Sequence, residues 1–180
     1  MDPTFWLDRW QRADIGFHQG AAHHFLARHW GELHVPRGAS VFVPLSGKSL
    51  DMVWLADQGH DVLGVELSEL AVEQFFAERS RRPAVVSQGR FKVRRAGPYE
   101  IWCGDFFSFD PADTRRIGGV FDRAALVAMP SSISNSIEAR TSRSPASSQA
   151  YAMSKRLWPA TPIRTAAACS GCSAKSRQRR

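Results

Sequence analysis

Apolar residues along this 180-residue chain recur either near every 3.6 positions or in short β-branched and aromatic runs, and that alternation sketches a fold. Phe5, Trp6, Leu7 and Trp10 form an aromatic patch on a short helix. Ala22, Phe25, Leu26, His29, Trp30 and Leu33 follow at i, i+3, i+4, i+7, i+8 and i+11, which predicts an amphipathic helix. After Pro36-Arg37-Gly38 a strand runs from Ser40 to Pro44. A turn follows, then a helix with Leu50, Val53 and Trp54 on its apolar side, closing at Gly59. The second strand, "HDVLGVE" from His60 to Glu66, leads into a helix capped by Ser68 with Val72, Phe75 and Phe76 facing inward.

Arg79 to Gly97 is basic and irregular, and predicts solvated loops with room for a hairpin arm around "GRFKVRRAGPYE". "YEIWCGDFF", Tyr99 to Phe107, is a third strand ending in Gly104-Asp105, and "GGVFDRAALVAM", Gly118 to Met129, is a fourth that enters a helix or loop. Four strand–helix units predict an α/β fold with a mostly parallel sheet and helices on both faces.

At Pro130 the pattern stops. Residues 131–180 hold twelve serines, nine alanines and nine Lys/Arg against one acid, Glu138, with no sustained period of 2 or 3.6. Such a segment buries too little apolar surface to offset its ordering entropy, so a folded domain is expected over 1–130 and a disordered basic tail over 131–180. The abruptness reads as an altered C-terminus, as if the reading frame had changed near codon 131. Charge follows the same boundary. Of 24 Lys/Arg and 17 Asp/Glu, the first 130 residues keep fifteen bases and sixteen acids, so the net charge of +7 belongs to the tail. Nucleic-acid binding through that tail is the lesser alternative, since it interleaves few aromatics and carries no motif. Three cysteines are too few for a disulfide scaffold, and Cys169-Ser-Gly-Cys172 has no second pair to make a metal site. No secretory leader and no membrane span is visible, which points to a soluble protein of the cytosol.

The turn after the first strand, "VFVPLSGKSLD", invites a phosphate-loop reading. That loop needs G-x-x-x-x-G-K-[ST], and Phe42 stands where its first glycine belongs, so the triplet Gly47-Lys48-Ser49 has no arch of amides to complete. In an open parallel sheet the ligand lies beyond the carboxyl ends of the strands, here Leu45-Ser46-Gly47, Glu66 and Gly104-Asp105. An acid closing the second strand, about 20 residues past the first turn, suits a ribose diol. An acid ending the third could accept from an adenine amine. Together Glu66 and Asp105 describe an adenosine. A dinucleotide would want two or three glycines at the turn for its pyrophosphate, whereas S-adenosylmethionine carries no phosphate and tolerates one, Gly47. The bland readings are a solvated strand-end acid for Glu66, a turn cap for Asp105 and core aromatics for Trp6 and Trp10. Likewise His23, His24, His29 and His34 read as helix-face residues and Cys103 as a small buried apolar group, with no metal site.

"FWLDRWQRADIGFHQ", "VFVPLSGKSLDMVWLADQGHDVLGVELSE", "CGDFF" and "FDRAALVAMP" resemble, in order and spacing, the motifs of the thiopurine S-methyltransferase family, especially its bacterial members. The resemblance covers about residues 3–130. It implies a Rossmann-like class I S-adenosylmethionine-dependent methyltransferase fold and methylation of aromatic or heterocyclic thiols, with bacterial relatives linked to tellurium and selenium detoxification. It further implies that Trp10 covers the cofactor, Leu45 meets it at the turn, Glu66 holds the ribose, Asp105 contacts the adenine and Arg123 touches the cofactor site. Phe17 would line the thiol pocket. Arg123 would also be catalytic, stabilising a thiolate or ordering a water that takes its proton. Ser46 stands where the family often has cysteine. After residue 130 the family continues with a fifth strand, a helix and an antiparallel strand pair that the tail does not predict. A monomer acting on a small-molecule thiol is expected, and the alternative is a cofactor-binding remnant without turnover.

Overall fold

The computed structural model describes residues 2–110, 117–123 and 125. The helix or loop expected between the fourth strand and Met129 lies mostly outside them, and the tail of 131–180 entirely so. β1 (Ser40–Pro44) is buried along its whole length and β2 (Asp61–Glu66) almost so, as β-branched central strands covered on both faces should be. β3 (Ala84–Gln88), β4 (Phe91–Ala96), β5 (Tyr99–Cys103) and β6 (Ile117–Val120) complete a six-stranded sheet of order β3-β4-β5-β2-β1-β6. β6, β1, β2 and β5 run parallel, while β4 is antiparallel to β5 and β3 to β4. The fold class is the expected one, a mostly parallel sheet flanked by helices.

The basic stretch from Arg79 to Gly97 is where expectation and structure part. It forms two strands in the sheet rather than solvated loops with an arm. Phe91 and Val93 alternate inward onto the sheet's second face, and that burial outweighs the charges between them. Arg94 points to the other face and is buried, held by Glu69 at 2.6 Å and Glu73 at 3.4 Å. The third strand also stops earlier than the sequence suggests, at Cys103. Asp105 caps a 3₁₀ turn, Phe106–Ser108, by accepting the Phe107 N–H at 3.0 Å.

α1 (Pro3–Gln11) starts at Asp2, whose carboxylate accepts the Thr4 N–H at 2.9 Å. The helix expected from Ala22 to Leu33 breaks into α2 (His24–His29) and a 3₁₀ turn, Trp30–Leu33, which ends on His34 in the left-handed region. α3 (Leu50–Asp57) and α4 (Glu69–Ala77) begin at Ser49 and Ser68, each accepting an N–H from its own first turn. One face of the sheet packs Val41, Val43, Val62, Tyr99 and Ile101 against Leu26, Trp30, Met52, Leu55, Val72, Phe75 and Phe76 from these helices. The opposite face packs Phe42, Leu63, Val65, Phe91, Val93, Trp102 and Val120 with Phe106 and Phe109. Among the described residues, the helices that contribute to these two clusters lie on the first face.

The 3₁₀ turn aims Trp30 into the core, where its indole N–H donates to His60 Nε2 at 2.9 Å. Burial holds the His60 imidazole below its ordinary pKa of 6.5, so it stays neutral and keeps the lone pair that Trp30 needs. Because the folded-state value lies below the unfolded one, this contribution is complete above pH 6.5 and is lost as the pH falls below it. His60→Gln keeps an acceptor but does not titrate. Melting curves at about pH 7.5 and about pH 5.5 should show a smaller drop in melting temperature for this variant than for the parent chain. Equal drops would clear His60 of any part in acid lability.

Candidate functional site

Strand register sets the ends of β1, β2 and β5 level at one edge: Pro44 lies opposite Val65, and Glu66 opposite Cys103. The chain leaves β1 through Leu45-Ser46-Gly47-Lys48. Leu45 takes φ +45° and Gly47 φ +52°, and a left-handed leucine costs on the order of 1–2 kcal/mol. Backbone bonds hold that strained shape, from Ser46 N–H to Val65 O at 3.0 Å and from Ser49 N–H to Ser46 O at 3.1 Å. Ser46 Oγ is buried without a hydrogen-bond partner among the described residues, 2.8 Å from where a β-carbon on Gly64 would stand, so the glycine in β2 makes room for the turn.

Glu66 ties the turn to the second strand. It is 6% exposed, and its Oε2 accepts the Gly47 N–H at 2.7 Å while its Oε1 accepts the Ser68 N–H at 2.8 Å. Burial pushes its carboxyl above the ordinary value, and the amides of Ser68, Gly47 and Leu67 pull against that without cancelling it. Among the described residues no cation pairs with it. A buried acid supported only by amides is well suited to accept further donors from a polar ligand.

Trp10 lies over the turn, with ring carbon Cζ2 3.1 Å from where a β-carbon on Gly47 would be, so Gly47 serves both its backbone angle and this close approach. Trp10 is 5% exposed. After α1 the chain folds back on Arg9, whose guanidinium donates to the Asp14 carboxylate at 3.1 Å and carbonyl at 3.0 Å. That return sets Phe17 edge-on to Trp10 at 5.6 Å and to Trp6 at 5.5 Å. Phe17 stays 40% exposed, an aromatic face at the rim.

Arg123 arrives from the other side. Beyond β6 the Phe121 N–H donates to Phe42 O at 2.8 Å, keeping the chain beside β1, and Arg123 Nη1 then lies 2.9 Å from Asp51 Oδ2. Asp51, buried in the first turn of α3, also accepts the His23 N–H at 2.7 Å and the Ser49 hydroxyl at 2.7 Å. His18, half-buried at this corner, is held below its ordinary pKa by burial and by the charge of Lys48, with smaller contributions from Arg123 and Arg79.

The structure thus brings Trp10, Leu45, Glu66 and Phe17 together around Gly47 and pairs Arg123, in the bend after β6, with Asp51 at the start of α3. Asp105 is at the same sheet edge, two residues past the partner of Glu66, but it is exposed and caps its own turn. Lys48 donates to Glu78 at 2.6 Å, an ion pair rather than a phosphate ligand. Cys103 is buried, as its neighbours predict. Sequence reasoning missed Asp51 and the cap made by His23, whose ring accepts the Phe25 N–H at 3.3 Å. The pattern Ser49-x-Asp51 opening a helix was the available signal, since a capping serine and a first-turn acid belong together there.

The family model for thiopurine S-methyltransferase (TPMT) matches residues 1–140. A thiopurine S-methyltransferase from Pseudomonas fluorescens (strain Pf0-1) is 54% identical over 130 residues, which cover 72% of this chain and 60% of that one. One from Azotobacter vinelandii is 53% identical over the same spans. This chain therefore matches about 60% of the length of these relatives. Among solved structures, a SAM-dependent methyltransferase from Thiobacillus denitrificans in complex with S-adenosyl-L-homocysteine is 19% identical with a TM-score of 0.50, covering 78% of this chain and 51% of that chain. That likeness carries the fold alone. With the sheet order, the Glu66-bound turn and a family match across most of its length, the chain belongs to the thiopurine S-methyltransferase family.

Proposed function

We propose that this chain binds S-adenosylmethionine at the carboxyl edge of β1, β2 and β5 and methylates the sulfur of aromatic or heterocyclic thiols, thiopurines among them. The observation that carries the reading is Glu66: a buried carboxylate with no cation partner among the described residues, fixed by two backbone amides beside a turn that a tryptophan covers. Each of its oxygens holds one amide and keeps a lone pair for a ribose hydroxyl. The cofactor supplies a methyl group made electrophilic by its sulfonium. Leu45 and Gly47 offer backbone at close approach, Trp10 excludes water above the turn, and Asp105 keeps one carboxylate oxygen for an adenine amine.

Phe17 presents a flat apolar face to a planar acceptor, and Arg123 contributes positive charge beside the site. Sulfur is already a strong nucleophile and heteroaromatic thiols ionise readily, so alignment for in-line attack supplies most of the acceleration. No strong base is needed. Arg123 serves by stabilising the thiolate, or by ordering a water that takes its proton. Selenium and tellurium acceptors, softer than sulfur, fit the same geometry. The reading implies a monomer acting on small molecules in the cytoplasm, with no nucleic-acid partner. No helix among the described residues is long and apolar enough to cross a membrane.

Calorimetric titration of the purified chain with S-adenosylmethionine should show one site. Glu66→Ala should weaken it about 10- to 100-fold, the range for losing charge-assisted hydrogen bonds. Ionised Glu66 can accept from two ribose hydroxyls while protonation removes its charge and turns one oxygen into a donor, so affinity should hold above its raised pKa and fall as the pH drops through it. That fall begins at higher pH than for an ordinary glutamate, and Glu66→Ala should abolish it. No heat of binding from a cooperatively folded chain would refute the cofactor site.

At saturating cofactor, Arg123→Ala should slow thiopurine methylation at least about tenfold, in line with loss of a charge placed where the transition state needs it. Unchanged methyl transfer would remove Arg123 from the chemistry. Binding without turnover in the parent chain would select a cofactor-binding protein that does not catalyse.

A further inference from the structure

Asp51 is 1% exposed, yet three separate segments converge on it: His23 from the loop that carries Phe17 and His18, Ser49 from the cap of α3, and Arg123 from the end of β6. Its side chain lies in the first turn of α3, where the helix dipole favours a negative charge. Burying a carboxylate beside a largely buried guanidinium brings a desolvation cost that an apolar pair of the same volume would avoid, often with equal or greater stability. Stability alone is therefore a poor reason for this pair. The contact with Arg123 is a pairing of charges at 2.9 Å, with Nη1 outside hydrogen-bond geometry among the described residues.

We propose that Asp51 is a positioning residue: its buried carboxylate fixes Arg123 beside the cofactor turn and pins the segment between Arg12 and His23 that lays Phe17 against Trp10. The proposal rests on the cofactor reading given above. Arg123 follows a four-residue strand that is last in the sheet among the described residues, and the loop after α1 is also held by the Arg9–Asp14 pair and by the packing of Phe17 on Trp6 and Trp10. A single carboxylate makes both placements depend on α3, whose cap is the cofactor turn itself.

The test uses the full chain and three variants, Asp51→Asn, Asp51→Glu and Arg123→Gln, with each of the two Asp51 variants also combined with Arg123→Gln, and a fourth, Asp51→Ala, for hydrogen exchange. Asp51→Asn keeps an acceptor for His23 but no charge for Arg123. It should weaken S-adenosylmethionine binding about tenfold, as coupled neighbours do, and add nothing in the Arg123→Gln background. Asp51→Glu should restore part of the loss. Should Asp51→Asn not melt cooperatively, Asp51→Glu carries the same comparison, with an intermediate loss in the parent and none in the Arg123→Gln background. Unchanged affinity, or losses that add independently of Arg123, would overturn the proposal. Hydrogen exchange of residues 12–23 without ligand gives a separate readout in Asp51→Ala, which removes the acceptor for the His23 N–H: faster exchange there, with β1 and β2 still protected, supports the anchor, and unchanged exchange overturns it. A parent chain that binds no cofactor would refute the cofactor reading, and the exchange result would still decide whether Asp51 anchors the segment.

Discussion

Glu66 and the two amides it accepts tie the end of β2 to the turn after β1, and the rest of the edge is organised around that link. Without an acceptor for the Gly47 N–H, a turn containing a left-handed leucine and a left-handed glycine would lose one of its few restraints. With it, Gly47 is held flat enough for Trp10 to rest on it, and Phe17 then has a surface to pack against. The cost is a carboxylate kept from water. Burial raises its pKa for the same reason, and a ligand with hydroxyl donors would relieve that cost.

Buried charge recurs as the means of joining elements in this molecule. Arg94 holds α4 to β4 through Glu69 and Glu73, and Asp51 joins α3, the N-terminal segment and the end of β6. Both pairs cross from a helix to a strand or its ending, where register has to be exact to within a hydrogen bond. Apolar packing against the sheet is less demanding, since it tolerates small slides that a charged pair of fixed reach does not. Ion pairs near the surface, such as Lys48 with Glu78, add much less.

Much of the fold was legible along the chain. The run "SVFVP", the capping serines Ser49 and Ser68 and the glycine after α3 each state a local preference that the tertiary structure keeps. The hairpin of β3 and β4 was obscured because Lys92, Arg94 and Arg95 mask the alternation of Phe91 and Val93, and only the facing acids on α4 make a buried arginine affordable there. Asp105 shows the opposite limit. Its place after a strand ending was readable, but its use as a cap depended on whether the chain turned at once or ran on.

By itself the sequence determined the order of the parallel strands and the helices α3 and α4, the position of the turn and the acid that closes β2, because these follow from hydrophobic period, cap chemistry and residue spacing. Only the tertiary structure decided that Asp51, not a residue near Arg123 in the chain, receives Arg123, and that Lys48 turns to Glu78 instead of a phosphate. Those pairings join residues 72 and 30 positions apart, and no local preference reaches that far. They arise when sheet register brings strand ends level and sets opposite charges from distant segments within reach of each other.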